Sequence, residues 1–160
     1  MNLLRLYKLS NFLYKKNLFK LSKLVDIINK IVNKSIVYGS TQIGEDTRFA
    51  YGGISVVIHK HAKIGQKCMI GQCVTIGGVH GKQNGVPVIE NNVYIGAGAK
   101  IIGNVVIGNN TIIAPNAVVT KSIEPCSVVG GIPAKYISKI NRESFNEKYK
   151  YYGIERYIDE

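Results

Sequence analysis

From Val37 to about Pro133 the chain repeats every six residues, and that period excludes most folds before any motif is considered. In sixes it runs VYGSTQ, IGEDTR, FAYGGI, then, after a three-residue excess, IHKHAK, IGQKCM, IGQCVT and IGGVHG. After a longer excess it resumes as IENNVY, IGAGAK, IIGNVV, IGNNTI, IAPNAV and VTKSIE. The first place is aliphatic or aromatic throughout, the second is usually glycine or alanine, and the fifth is mostly Thr, Val, Ala or Cys. A helix repeats at 3.6 residues and a pleated strand at 2, so neither yields a six. A coil with three flat sides does, each hexad making one short strand and one corner. First-place aliphatics then stack inside, small fifth residues fill the narrow interior, and glycine or asparagine turns the corners. Stacked coils bury what a single coil leaves open. The expected fold is mainly β, a parallel β-helix over residues 37–138.

The flanks read differently. Residues 1–36 are basic and helical in pattern over 2–34: Leu3, Leu6, Leu9 and Leu13, then Leu21, Leu24, Val25, Ile28, Ile31 and Val32, recur at helical spacing between lysines. Asn17 predicts a break and hence two short helices. Two roles fit them: a cap that buries one face on the coil or on another subunit, or a basic amphipathic surface resting peripherally on anionic lipid. Residues 139–160 are polar and rich in tyrosine (Tyr149, Tyr151, Tyr152, Tyr157), and a short C-terminal helix with a loose end is expected there.

At 160 residues there is room for one well-cored domain and a small appendage. No apolar run approaches the roughly 18 residues of a spanning helix, and no signal-peptide pattern opens the chain, which predicts a cytoplasmic protein. The net charge of +11 invites a nucleic-acid reading, but eight of the 21 basic residues precede Ile36 and no aromatic residues interleave with the others. Nucleic acid is therefore not expected. Cys68, Cys73 and Cys126 form no CxxC pair and no metal spacing, so no metal site is expected and the thiols read as packed or idle.

The beat fails once at length, in IGGVHGKQNGVPVIE from Ile76 to Glu90. A loop thrown out of a rigid coil is where function usually sits, and this one carries His80 between glycines. The hexads, GAGAK at Gly96–Lys100 and VVGGIPAK at Val128–Lys135 resemble the hexapeptide-repeat acyltransferases. The resemblance implies a left-handed β-helix, a homotrimer and acetyl transfer from acetyl-CoA; the hand comes from the resemblance alone, since ordinary crossovers are right-handed.

Within that family, KIGQKCMIGQCVTIGG followed by IGAGAKIIGNVVIG is most similar to serine O-acetyltransferase and its sugar-modifying relatives. The serine enzymes' catalytic Asp-His pair falls here on Ala50-Tyr51, the aspartate that orients the histidine on Ile36, and the serine-holding Arg-His pair near Gly85-Val86. A serine carboxylate needs a cation and a base needs an orienting partner, so serine is not the expected acceptor. Pro87–Gly96 (PVIENNVYIG) resembles instead a coil of the galactoside and maltose acetyltransferases, which carry their catalytic histidine in an excursion just before it; His80 matches that role. The same resemblance places acetyl-CoA contacts on Ala97, Pro115, Thr120, Lys121 and Lys135. Lys121 and Lys135 also make sense alone, because a phosphorylated nucleotide tail needs cations, although a solvated corner explains a lysine equally well.

Acetyl transfer to a hydroxyl needs a base and a donor for the developing oxyanion. Backbone amides at Gly77, Gly78 or Gly98 are available as donors, and histidine is the usual base near neutral pH. His61 occupies an outward place in its hexad and reads as surface. His59 occupies the second place, where glycine or alanine is usual, so it either projects into a cleft between subunits or sits at a tolerated corner. His80 and His59 are both expected base candidates. Tyr51, at the serine enzymes' base position, is expected to hydrogen-bond the acceptor, since a phenol holds its proton too tightly to act as a base at neutral pH.

The expected function is acetyl-CoA-dependent transfer to a sugar hydroxyl in surface polysaccharide biosynthesis, on a small-molecule or lipid-linked sugar that would suit the basic helices. The alternatives are a serine O-acetyltransferase of cysteine biosynthesis and a non-catalytic trimeric hexapeptide-repeat protein.

Overall fold

Each hexad places one inward aliphatic between two corners, and the corners make the chain turn three times before it meets itself again. The computed structural model describes residues 3–79 and 85–140. One side of the coil is built from β1 (Gln42–Ile43), β4 (Lys63–Ile64), β7 (Val88–Ile89) and β10 (Val106–Ile107). A second holds β2 (Arg48–Phe49), β5 (Met69–Ile70), β8 (Tyr94–Ile95), β11 (Ile112–Ile113) and β13 (Ser127–Gly130). The third holds β3 (Val57–Ile58), β6 (Thr75–Gly77), β9 (Lys100–Ile102) and β12 (Val118–Val119). All these pairings are parallel, each strand meeting its successor one full turn later. Val88 lies against Val106, Tyr94 against Ile112 and Lys100 against Val118, three hexads on in each case. Across the excursion the register simply resumes, with Lys63 against Val88 and Thr75 against Lys100.

The interior follows the hexad places. First-place Ile58, Ile70, Ile76, Ile95, Ile101, Ile107 and Ile113 are fully buried, and Ile64, Ile89 and Val119 nearly so. Burying each such side chain is worth about 1.5–3 kcal/mol. Fifth-place Ala62, Cys68, Val74, Val93, Ala99 and Ala117 fill the angles between the sides. Cys68 is one of these fillers: burial pushes its thiol up, and Sγ donates to the Glu90 carbonyl at 3.1 Å. The corners need left-handed backbone, which falls on Asp46, Lys67, Cys73, Asn92, Asn110, Asn116 and Cys126 as well as Gly98. Asparagine suits that conformation and adds side-chain bonds between coils. The Gln66 amide donates to Asn91 Oδ1 at 2.8 Å, the Asn91 amide to Asn109 Oδ1 at 2.9 Å, and Asn92 Nδ2 to Asn110 Oδ1 at 3.2 Å.

The N-terminal segment forms two helices, α1 (Leu3–Lys15) and α2 (Phe19–Asn33), and the expected break at Asn17 is a left-handed residue with φ 60°. They cover the first coil. Leu3, Leu6 and Tyr7 are buried there, Tyr7 Oη donates to the Thr41 carbonyl at 2.7 Å, and Asn11 Nδ2 donates to the Gly39 carbonyl at 2.7 Å. Burial pushes the Tyr7 phenol up to about 12, so it remains a donor. The apolar stripe is not all inward, however. Leu9, Leu21, Leu24, Ile31 and Val32 are about half exposed, while Ser10, Ser22 and Asn29 are buried. The helices meet through small polar side chains: Ser10 Oγ and Ser22 Oγ are 2.8 Å apart, and a side chain at Gly39 would collide with Ser10. That close seam turns much of the leucine stripe outward.

At the far end β14 (Lys135–Lys139) reverses and pairs antiparallel with β13, the one departure from the parallel rule among the named strands. The helix expected in 139–160 falls, beyond Ile140, outside the described residues. Among the described residues no helix is long and apolar enough to cross a membrane.

Two features of the capped end generate predictions. Among the described residues the fully buried Thr41 hydroxyl finds no hydrogen-bond partner. Thr41→Val keeps the shape, removes the unsatisfied group and should raise unfolding stability by about 1 kcal/mol in a denaturant titration. Asp26 Oδ1 accepts from Ser10 Oγ at 2.5 Å and from the Gly39 amide at 3.1 Å, yet burial outweighs both and raises its carboxyl above the ordinary value. The fold therefore favours the protonated acid more than the unfolded chain does, and stability is lost as pH rises through the raised value. Compared with Asp26→Asn, the wild-type protein should gain stability as pH falls from about 7 to about 4, read from urea midpoints at each pH.

Candidate active site

The third side of the coil, β3–β6–β9–β12, runs between two columns of corners, and the residues expected to be functional stand on those columns. Where strands leave this sheet, the column holds His59, then Gly77-Gly78, then Ile102-Gly103, then Thr120-Lys121. The His59 amide donates to the Ile76 carbonyl at 2.8 Å and the Gly103 amide to the Gly77 carbonyl at 2.9 Å, which ties the corners coil to coil. Where strands enter the sheet, the column holds Tyr51, Gln72, Ala97 and Pro115. Bonds from Gly98 N to Gln72 O and from Asn116 N to Ala97 O, both 2.8 Å, link the upper three corners.

The excursion leaves from the first of these columns and returns to the same place. Val79 bridges Gly85 in antiparallel fashion, with the Val79 amide donating to the Gly85 carbonyl at 3.2 Å. Gly85 has no room for a side chain, which would run into Asn104, and a Cβ on Gly78 would press on the Gly85 carbonyl and Val86 at 3.0 Å. His59 Cδ2 lies 3.7 Å from that same point. The imidazole, half-buried, is thus packed at the foot of the excursion. Its Nδ1 accepts the His61 amide at 3.2 Å, and the two histidine rings are 5.6 Å apart. His61 itself is exposed.

The structure therefore brings His59 and Gly78 together, with Thr120 and Lys121 above them on one edge of the sheet. Ala97, Gly98 and Pro115 lie on the opposite edge, about 16 Å away at strand rise. Tyr51 is there too, at the foot of that edge, left-handed at φ 49° and 78 % exposed, and so not beside His59. Lys121 and Lys135 are exposed near the top of the two edges. Across the sheet's outer face Lys100 Nζ donates to the Cys73 carbonyl at 2.7 Å. His80 lies outside the described residues. The Val79–Gly85 bridge and the Asn104 contact that pin the loop were not legible in the sequence; Gly85 was the only sign, and a glycine does not name the neighbour it makes room for. A cavity of about 560 Å³ between α1 and the first coil, lined by Tyr7, Lys8, Asn11, Lys15, Asp46 and Arg48 among others, holds none of the expected site residues. Among the described residues no cluster of His, Cys, Asp or Glu is suited to a metal ion.

Gly98 allows a direct check of these columns. Its φ is +73° and a Cβ there would strike the Asn116 side-chain oxygen. Gly98→Ala should lower unfolding stability by about 1–2 kcal/mol, whereas an ordinary exposed glycine replaced by alanine would be neutral or better; thermal melts read the difference.

Comparison with known proteins adds the chemistry. Residues 87–121 match the family model described as bacterial transferase hexapeptide (six repeats). The serine acetyltransferase of Synechococcus elongatus is 34% identical over 133 residues, covering 82% of this chain and 54% of its own length. That of Staphylococcus xylosus is 37% identical over 132 residues, covering 81% and 60% respectively. The chain thus spans little more than half of these relatives. Neisseria gonorrhoeae serine acetyltransferase in complex with serine superposes with a TM-score of 0.78 at 26% identity, over 85% of this chain and 55% of that one. A serine acetyltransferase in complex with CoA gives 0.76 at 26% identity, over 84% and 55%.

These likenesses overturn the expected sugar acceptor, and with it the polysaccharide role and the lipid-linked substrate that would have drawn the basic helices to a membrane. That expectation leaned on PVIENNVYIG. In the structure this stretch is scaffold: Ile89 and Ile95 point into the core and Asn92 turns a left-handed corner, so it reports coil geometry and not acceptor.

Proposed function

The chain belongs to the hexapeptide-repeat, left-handed β-helix acyltransferases, in their serine acetyltransferase-like branch, and on that footing we propose that it transfers acetyl from acetyl-CoA to the hydroxyl of serine. The observation that carries the proposal is the likeness to serine acetyltransferases over more than four fifths of the chain, in sequence and in coordinates alike.

In this reading the sheet β3–β6–β9–β12 is the acetyl-CoA track. Glycine corners at Gly78 and Gly98 leave main-chain amides open to a ligand, Ala97, Pro115 and Thr120 line the edges, and Lys121 and Lys135 meet the phosphates. A histidine, either His59 at the foot of the excursion or His80 in the excursion's sequence, takes the serine hydroxyl proton as that oxygen attacks the thioester carbonyl. A main-chain or side-chain donor holds the oxyanion, the carbon–sulfur bond breaks, and the proton passes to the departing thiolate. Tyr51 hydrogen-bonds the acceptor. Because it stands across the sheet from His59, the reading includes a homotrimer in which one chain's Tyr51 edge faces a neighbour's excursion. Ala50-Tyr51, Ile36 and Gly85-Val86 depart from the serine enzymes' polar pairs, so the serine carboxylate must find its cation elsewhere. Lys60, beside His59 and exposed, is the nearest suitable group in sequence. The proposed location is the cytoplasm.

The test is thiol release from acetyl-CoA with and without L-serine, with O-acetylserine identified by mass spectrometry. Serine-dependent turnover is expected, and His80→Ala should lower kcat by about 100-fold or more. No serine-dependent release, under conditions where a known serine acetyltransferase turns over, overturns the proposal.

A further inference from the structure

We propose that Lys100 is a specificity residue for acetyl-CoA, its ammonium donating a hydrogen bond to an amide carbonyl of the pantetheine arm, the uncharged chain between thioester and phosphates. The inference rests on the reading of β3–β6–β9–β12 as the acetyl-CoA track.

The place of Lys100 follows from strand register. Outward side chains on that sheet stand in a column, with Val57 against Thr75, Thr75 against Lys100 and Lys100 against Val118. Lys100 is the one lysine or arginine in the column, and it is half-buried, where a lysine on an outer face is ordinarily solvated. Because β9 lies between β6 and β12, Lys100 stands one coil above Gly78 and one coil below Thr120-Lys121, at about 4.8 Å per coil. The thioester end belongs at Gly78 and the phosphates at Lys121 and Lys135. What passes Lys100 is therefore the stretch with two neutral amides and no phosphate.

The side chain is also preset. Nζ donates to the Cys73 carbonyl at 2.7 Å, which draws the ammonium across the face toward the edge that holds Gln72, Ala97 and Pro115. An ammonium has three N–H donors. One fixes the nitrogen on Cys73, and two are left for a ligand. Holding the chain there removes in advance much of the rotamer entropy that a loose lysine gives up on binding. Lys63 is the contrast. It has the same hexad place on another side of the coil, against Val88, yet it is exposed and makes no such bond among the described residues. Midway along the arm the acceptor on offer is an amide carbonyl, and a charged donor bonds it more strongly than a neutral one.

Isothermal titration of CoA into the protein, with no acceptor present, tests the assignment. Lys100→Met keeps the stem and loses the donors, and it should weaken CoA binding about 10-fold, the loss of one charge-assisted hydrogen bond. Lys100→Arg should recover at least about threefold of that loss, and Lys63→Met should bind as the wild-type protein does. Salt separates arm from phosphate. Binding by Lys100→Met should fall with added NaCl as steeply as in the wild type, whereas Lys121→Ala should show a flatter dependence. In turnover the loss should sit in KM for acetyl-CoA, with kcat changed by less than about twofold. Unchanged CoA affinity in Lys100→Met, equal losses in the Met and Arg variants, or a flattened salt dependence in Lys100→Met overturns the role of Lys100 and leaves the acetyl-transfer reading standing. Wild-type protein that binds no CoA overturns that reading, and the role of Lys100 with it.

Discussion

Everything in this molecule hangs on isoleucine stacked on isoleucine inside a narrow coil. Ile58, Ile76 and Ile101 lie in one such stack and Ile70, Ile95 and Ile113 in another, each tied to the next by parallel strand bonds. From β1 to β12 the strands are only two or three residues long, far too short to persist alone. Their stability is a nearest-neighbour property, supplied from the coils above and below. Hence the strictness of the hexad: a single residue inserted into a side would move its aliphatic from the interior to solvent.

The same strictness defines where freedom is allowed. Extra residues are accepted only at corners, as at Ala50–Gly53, where a tight turn absorbs the first excess, and between Val79 and Gly85, where a bridge closes the second. Because the bridge pins both feet, the coil on either side keeps its register. Ligand-facing groups can then be carried outside the packed interior without disturbing it, and His59, at the foot, gains a fixed orientation from the corner it occupies.

Legibility followed the strength of the physical constraint. The coil could be read because first-place and fifth-place residues have no alternative to burial, and Asn17 could be read because asparagine tolerates left-handed backbone. The face of the helical cap could not: period alone does not say that Ser10 and Ser22 would make the seam while Leu21 and Leu24 faced out. Acceptor identity was least legible of all. PVIENNVYIG looked diagnostic, yet its regularity answers to Ile89, Asn92 and Ile95 doing structural duty. The sense of the His59 ring was out of reach as well, since it depends on a main-chain amide two residues further on.

A parallel coil has an inherent hazard, because its last turn offers the same unsatisfied ladder that its first turn offers, and copies could join end to end into a filament. Here the two ends differ. Helices lie over the opening turn through Leu3 and Tyr7, and at the closing turn β14 runs against the grain of β13. A reversed strand cannot template another parallel coil in register. The antiparallel turn at Gly130 and Lys135 therefore acts as a stop on growth, setting the length of the solenoid by topology where the hexads alone would let it continue.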